Sequence, residues 1–135
     1  RQIVVESKSC GVPRQTQVVA TVTNNVTNAA DLPAYVLTRA DKNKPKTLIT
    51  GQHRFKVFIY GPVDGKLISA SRSTPGAELG GGATERARPL YTTDVDLAPN
   101  QSETVLANFE GGSGKITYVD QPLVRKTQIS IKDKC

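Results

Sequence analysis

The sequence of 135 residues contains no methionine, no tryptophan, one histidine and two cysteines. Rings are scarce as well, with four Tyr and three Phe making 5% aromatic content. The core must therefore be built from Val, Ile, Leu and Ala with few aromatic anchors. One His and two Cys near the chain ends exclude a zinc site of familiar ligand spacing. No stretch of three turns carries apolar residues at i, i+3, i+4 and i+7, which argues against amphipathic helices. The best helical candidate is a single turn within Ala29–Leu37, interrupted by Pro33. No signal peptide, transmembrane run or lipidation motif is present. The expectation is an excised domain, 1–135, from the C-terminal part of a larger exported protein, whose export signal or membrane anchor lies upstream.

What is present is period-two alternation, the mark of half-buried strands. Val18, Ala20 and Val22 share one face of a segment running from Gln15 to Asn24. Tyr91, Thr93, Val95 and Leu97 share another face, opposite Thr92, Asp94 and Asp96. Val105, Ala107 and Phe109 point inward, and Ile129 and Ile131 are expected to do so near the end. Phe55–Tyr60 is apolar on nearly both faces and reads as a central strand. Gly61–Gly65 then reads as a turn, with Lys66–Ser73 returning as its partner strand and Ile68 and Ala70 inward. A further short strand is expected over Ile116–Val119. Ala40–Lys46, basic and Pro-containing, and Ser73–Arg88, with Gly80-Gly81-Gly82, read as long surface loops. About seven or eight short strands separated by turns predict an all-β, immunoglobulin-like antiparallel β-sandwich. A closed barrel is the alternative.

Cys10 and Cys135 lie at opposite ends of the chain. Terminal strands of a sandwich often lie side by side, so a disulfide between the two is expected. It would close a loop of more than a hundred residues, worth about 5 kcal/mol at most in the chain-entropy model. Such a bond implies an oxidising, extracytoplasmic setting. Two free, buried thiols in a cytosolic protein are the alternative.

The net charge is +6. Positive residues cluster at Arg39, Lys42, Lys44, Lys46, Arg54 and Lys56, with Arg86 and Arg88 following. These are the candidate binding residues, for a protein partner or an anionic cell-envelope polysaccharide. The plainer reading is a set of solvated loops and strand faces. Nucleic acid is not expected, because the basic residues are not interleaved with exposed aromatics.

Catalytic signatures are wanting. His53 has no G-x-S-x-G or similar motif to supply a partner, and reads as a solvated loop residue. Asp94 and Asp96 project from one strand face about 7 Å apart, which permits acid–base or Ca²⁺ roles. Ordinary outward residues with Arg or Lys partners are the plainer reading. Gly80-Gly81-Gly82 lacks the Lys-Ser/Thr of a phosphate loop and reads as a flexible spacer. No cofactor and no metal are expected. A hydrolase or transferase built on His53 or the Asp94/Asp96 pair is the lesser alternative to a non-catalytic module.

Several segments resemble a known family. They are Thr21-Val22-Thr23-Asn24, Asp31-Leu32-Pro33-Ala34-Tyr35-Val36, Phe55–Pro62, Tyr91–Pro99, and Gln121-Pro122-Leu123-Val124 with Cys135. Together they are similar to the C-terminal region of a membrane-anchored, mainly actinobacterial family catalogued as a domain of unknown function. The resemblance covers most of the chain from Thr16 onward. It implies an extracytoplasmic module of a membrane-anchored parent, linked by context to cell-surface polysaccharide assembly. It supplies no catalytic residues. The chain departs from the family in a longer Ser73–Arg88 stretch and in Pro99-Asn100-Gln101 replacing a Pro-Gly turn. An accessory domain that only stabilises the upstream region remains the other non-catalytic reading.

Overall fold

A computed structural model describes residues 2–28, 30, 32–33, 51–113 and 127–132. They contain eight strands: β1 (Gln2–Ser9), β2 (Gln15–Thr23), β3 (His53–Tyr60), β4 (Val63–Arg72), β5 (Gly81–Glu85), β6 (Arg88–Leu97), β7 (Ser102–Ser113) and β8 (Gln128–Lys132). No α-helix occurs among the described residues. A five-stranded sheet has the order β4-β7-β2-β1-β8, and a three-stranded sheet the order β3-β6-β5. Neighbours run antiparallel except β1 and β8, which are parallel. The chain is all-β, with the layout of a β-sandwich.

The alternation seen in sequence is what joins the two layers. From the larger sheet come Val18, Ala20, Val22, Val105, Ala107 and Phe109; from the smaller, Ile59, Tyr91, Val95 and Leu97. All are buried in one cluster, with Phe55, Val57, Leu67 and Ala70 packed at its margin. Burying each large aliphatic or aromatic side chain is worth about 1.5–3 kcal/mol. The connection from β3 to β4 crosses directly over Phe109. A Cβ on Gly61 would lie 2.5 Å from Phe109 Cδ1 and 2.6 Å from Pro89 Cγ, so only glycine fits there. At the opposite end Asn24 is buried and donates from Nδ2 to the carbonyls of Gly51 (2.8 Å) and Leu97 (3.0 Å). Its backbone bonds Gln101 and Asn100, anchoring the β6–β7 connection.

Several expectations are corrected. β3 is not central: among the described residues it pairs with β6 alone. β4 is not its hairpin partner but crosses to the larger sheet, beside β7. Ile68 is 52% exposed, not inward. The register shift between Leu67 and Ser69 inserts one residue, so the inward parity changes from Leu67 to Ala70 across a β-bulge. Ile129 and Ile131 are exposed on β8. The Gly-rich stretch is not wholly loop, since Gly81–Glu85 forms β5 and pairs with β6. Nor is Gly80 a spacer: a Cβ there would lie 1.7 Å from the Thr92 carbonyl oxygen, so the backbone needs glycine to approach. The expected loop Ala40–Lys46, strand Ile116–Val119 and most of the single helical turn lie outside the described residues.

β5 and β6 are joined by Arg86 and Ala87, both at positive φ (48° and 59°). This is the backbone of a type I′ hairpin, which favours Asn-Gly and not Arg-Ala. The Ala87 carbonyl accepts from the Asp64 amide at 2.7 Å, which fixes the turn against the start of β4. A left-handed conformation costs a residue with a Cβ about 1–2 kcal/mol. Ala87→Gly is therefore expected to stabilise the fold by about 1 kcal/mol after its unfolded-state entropy is counted, measured as a raised urea midpoint with unchanged m.

Candidate binding face

The outer face of the smaller sheet gathers the exposed functional chemistry. Even-numbered residues of β3 point there: Arg54, Lys56, Phe58 and Tyr60. Their cross-strand neighbours on β6 are Asp96, Asp94, Thr92 and Leu90. Arg54 grips Asp96 with two bonds, Nε to Oδ1 at 2.7 Å and Nη2 to Oδ2 at 2.6 Å. Lys56 Nζ lies 3.7 Å from Asp94 Oδ1. Such exposed pairs contribute about 1 kcal/mol or less each, but they neutralise this end of the face. At the other end Phe58 is 53% exposed and Tyr60 47%. Tyr60 OH donates to Glu85 Oε2 at 2.7 Å, which orients the ring. That bond to a carboxylate holds the Tyr60 hydroxyl above its ordinary pKa, with desolvation adding to it. On β5, Gly81 and Ala83 stand opposite Thr92 and Leu90, leaving low relief beside the rings. A shallow, open depression of ≈ 200 Å³ lies between Lys56, Glu78, Gly80, Thr92, Thr93 and Asp94.

The basic candidates do not form one patch among the described residues. Arg54 and Lys56 lie toward the Asp96 end of β6, each with a carboxylate partner. Arg86 is on the hairpin turn at the other end, and Arg88 is half-buried, donating from Nη1 to the Gly61 carbonyl at 3.1 Å. Arg39, Lys42, Lys44, Lys46 and Cys135 lie outside the described residues. Cys10 is not a free thiol.

His53 is not a solvated loop residue. It opens β3, half-buried, with its ring centroid 6.4 Å from that of Phe55. Its buried Nε2 has no hydrogen-bond partner among the described residues. It shares the strand parity of Phe55 and Ile59, which face the core, whereas Asp94 and Asp96 are exposed on the outer side. The structure does not bring His53 and this carboxylate pair together. Among the described residues no three His, Cys, Asp or Glu side chains converge as metal ligands would.

One polar cluster was not anticipated. Glu103 is 2% exposed, on the inward parity of β7 with Val105, Ala107 and Phe109. Its carboxylate accepts from Ser73 Oγ at 3.1 Å, the Thr74 amide at 3.0 Å and Thr74 Oγ1. Arg72 Nε lies 3.6 Å from Oε1. Arg72 Nη1 in turn donates to the carbonyls of Glu78 (3.0 Å) and Asp94 (3.1 Å), tying β4 to β6 across the layers. A glutamate on a buried strand parity was the available signal, since such residues are rarely buried without partners. The carboxylate has its hydrogen bonds, whereas the buried Arg72 Nε has charge contact but no hydrogen-bond partner among the described residues, and the cluster closes one end of the core.

No family model, curated protein or solved structure matches the chain. The resemblance to the actinobacterial family thus rests on the segments quoted from the sequence.

Burial pushes the Glu103 carboxyl up, but the bonds from Thr74 and Ser73 and the Arg72 charge outweigh it, so its pKa is held below the ordinary 4.5. A depressed carboxyl pKa contributes stability at pH values above the unfolded-state value. That contribution is lost as pH falls through the lower folded-state value. Thermal unfolding from pH 7 to pH 3 should show this acid loss in the native chain. Glu103→Gln should be less stable at pH 7 and show a shallower acid limb.

Proposed function

We propose that the chain is a non-catalytic, extracytoplasmic module of a membrane-anchored bacterial protein, and that it binds a protein partner through the outer face of its smaller sheet. The observation that carries this reading is the pair of exposed rings, Phe58 and Tyr60, beside charges that already neutralise one another. Aromatic residues with low-relief neighbours and satisfied charges suit a protein surface, because they supply contact area without a desolvation cost for lone charges. A polyanion would find no net positive field on this face. The anionic cell-envelope polymer reading rests on Arg39, Lys42, Lys44 and Lys46, with Arg86 as the exposed described member. Nucleic acid has no place in the proposal, and no helix among the described residues is long and apolar enough to cross a membrane.

The immunoglobulin-like reading applies to architecture more than to connectivity. The order β4-β7-β2-β1 beside β3-β6 supports this reading, being compatible with the two-sheet immunoglobulin arrangement. In that pattern the strand between the second and fourth precedes the strand paired with the third; here β7 follows β6.

The Cys10–Cys135 disulfide belongs to the same proposal. β1 and β8 run parallel, with Gln2 facing Gln128 and Glu6 facing Lys132. In sequence Cys10 follows the end of β1 by one residue and Cys135 follows the end of β8 by three.

Immobilised wild-type domain and the double variant Phe58→Ser, Tyr60→Ser should be compared for capture of cell-envelope proteins and for retention on an anionic polysaccharide across a salt gradient. The proposal expects a captured protein that the variant loses, with its melting temperature within a few degrees of wild type. Equal capture by the variant, or salt-sensitive polymer binding alone, would refute it. If both capture nothing, and deletion of the domain leaves the parent misfolded, the accessory structural reading replaces it.

For the bridge, alkylation of the purified oxidised chain should label neither cysteine until reduction. Reduction should lower stability by several kcal/mol, with about 5 kcal/mol as the ceiling.

A further inference from the structure

Among the described residues β5 is an edge of the smaller sheet, and all its residues from Gly81 to Glu85 are exposed. The direction of its backbone groups follows from one hydrogen bond. The Pro89 carbonyl accepts from the Gly61 amide at 2.8 Å, so it points toward the β3 side of β6 and away from β5. Thr84, opposite Pro89, is therefore at a non-hydrogen-bonded position of the β5–β6 ladder. Such positions alternate along an antiparallel pair, which makes Gly82 the other one. Both residues direct N–H and C=O outward from the sheet. Three of the usual edge defences, lysine, proline and a bulge, are missing. β5 contains no Lys and no Pro, and its pairing with β6 shows no register shift.

We propose that β5 pairs antiparallel with β5 of a second copy, about a two-fold axis at Ala83, merging two small sheets into one continuous sheet. Gly82 and Thr84 are symmetric about Ala83. Each thus meets the other in the second copy, and the pair exchanges N–H···O=C bonds on both sides of the axis. Charge selects the same arrangement. Glu78 precedes the strand, Arg86 follows it, and both are exposed. Antiparallel pairing places the Arg86 turn of each copy at the end of the ladder where the Glu78–Gly80 segment of the other enters β5, bringing the two opposite charges to the same end. Symmetry repeats the contact. Parallel pairing would instead set like charges level with one another. The axis is perpendicular to the sheet, so both Phe58–Tyr60 faces lie on one side, which gives the dimer a two-site surface. One short strand is a small interface, and the association is weak and concentration-dependent.

Analytical ultracentrifugation of the whole chain from about 10 μM to about 1 mM spans the range for such a contact. Dimer is expected to grow with concentration. Thr84→Pro removes an outward N–H that has no partner among the described residues and should abolish the dimer with near-native circular dichroism. Arg86→Glu should raise the dimer Kd about tenfold, and the swap Glu78→Arg with Arg86→Glu should recover most of it. If Thr84→Pro fails to fold, the charge-swap set decides. A monomer at every concentration, or a dimer indifferent to Arg86→Glu and to the swap, overturns the proposal. So does a chain that stays monomeric while binding an added extended peptide along β5.

Discussion

Everything in this fold depends on two apolar faces excluding water between them. Val95, Leu97, Val105 and Ala107 are fully buried at the centre of that contact. With so few rings in the chain, Tyr91 and Phe109 supply much of its large-residue volume. The backbone accommodates them closely, and Gly61 lies against Phe109 where any side chain would collide. An aliphatic core of this size tolerates little lost volume, because a cavity adds its own cost to the lost burial.

The two ends of the core are closed by polar groups: Asn24 and Glu103 have their hydrogen bonds met, and of Arg72 only Nε lacks one among the described residues. Asn24 draws the β6–β7 connection and Gly51 onto the end of β2. Glu103 and Arg72 do the equivalent work elsewhere, with Ser73 and Thr74 completing the carboxylate shell. Buried polar groups without partners are costly, and partnered ones specify how the layers meet. Arg72 reaches a carbonyl of each neighbouring segment, Glu78 and Asp94, so the pairing of β4 with β7 and the position of β6 are linked.

With the interior so occupied, the chemistry proposed for recognition lies on the surface. The outer face of the smaller sheet is neutral at one end and aromatic at the other, and its β5 edge offers backbone groups to another strand. The proposed binding face and the proposed self-pairing edge are compatible on this layout. The edge bonds lie in the plane of the sheet, and the rings stand out of it.

Period-two patterning by itself determined which residues of β2, β6 and β7 face inward, because a strand's side chains alternate strictly. It also placed Asp94 and Asp96 on the wet face with basic partners, as one of the two readings weighed for them. Tertiary structure alone decided which strands share a sheet. Phe55–Tyr60 looks central by hydrophobicity, yet Phe58 and Tyr60 are exposed, since apolar content does not reveal how many neighbours a strand will have. Ile68 was misplaced because a bulge shifts parity by one residue without any mark in composition. β5 begins with two glycines and has no large apolar side chain to form a pattern, so its pairing came from backbone geometry against β6. Glu103 carried a visible sign, a charge on a buried parity, but its partners Arg72, Ser73 and Thr74 are some thirty residues away in the chain. Local pattern sets the direction of a side chain; long-range pairing sets what it meets there.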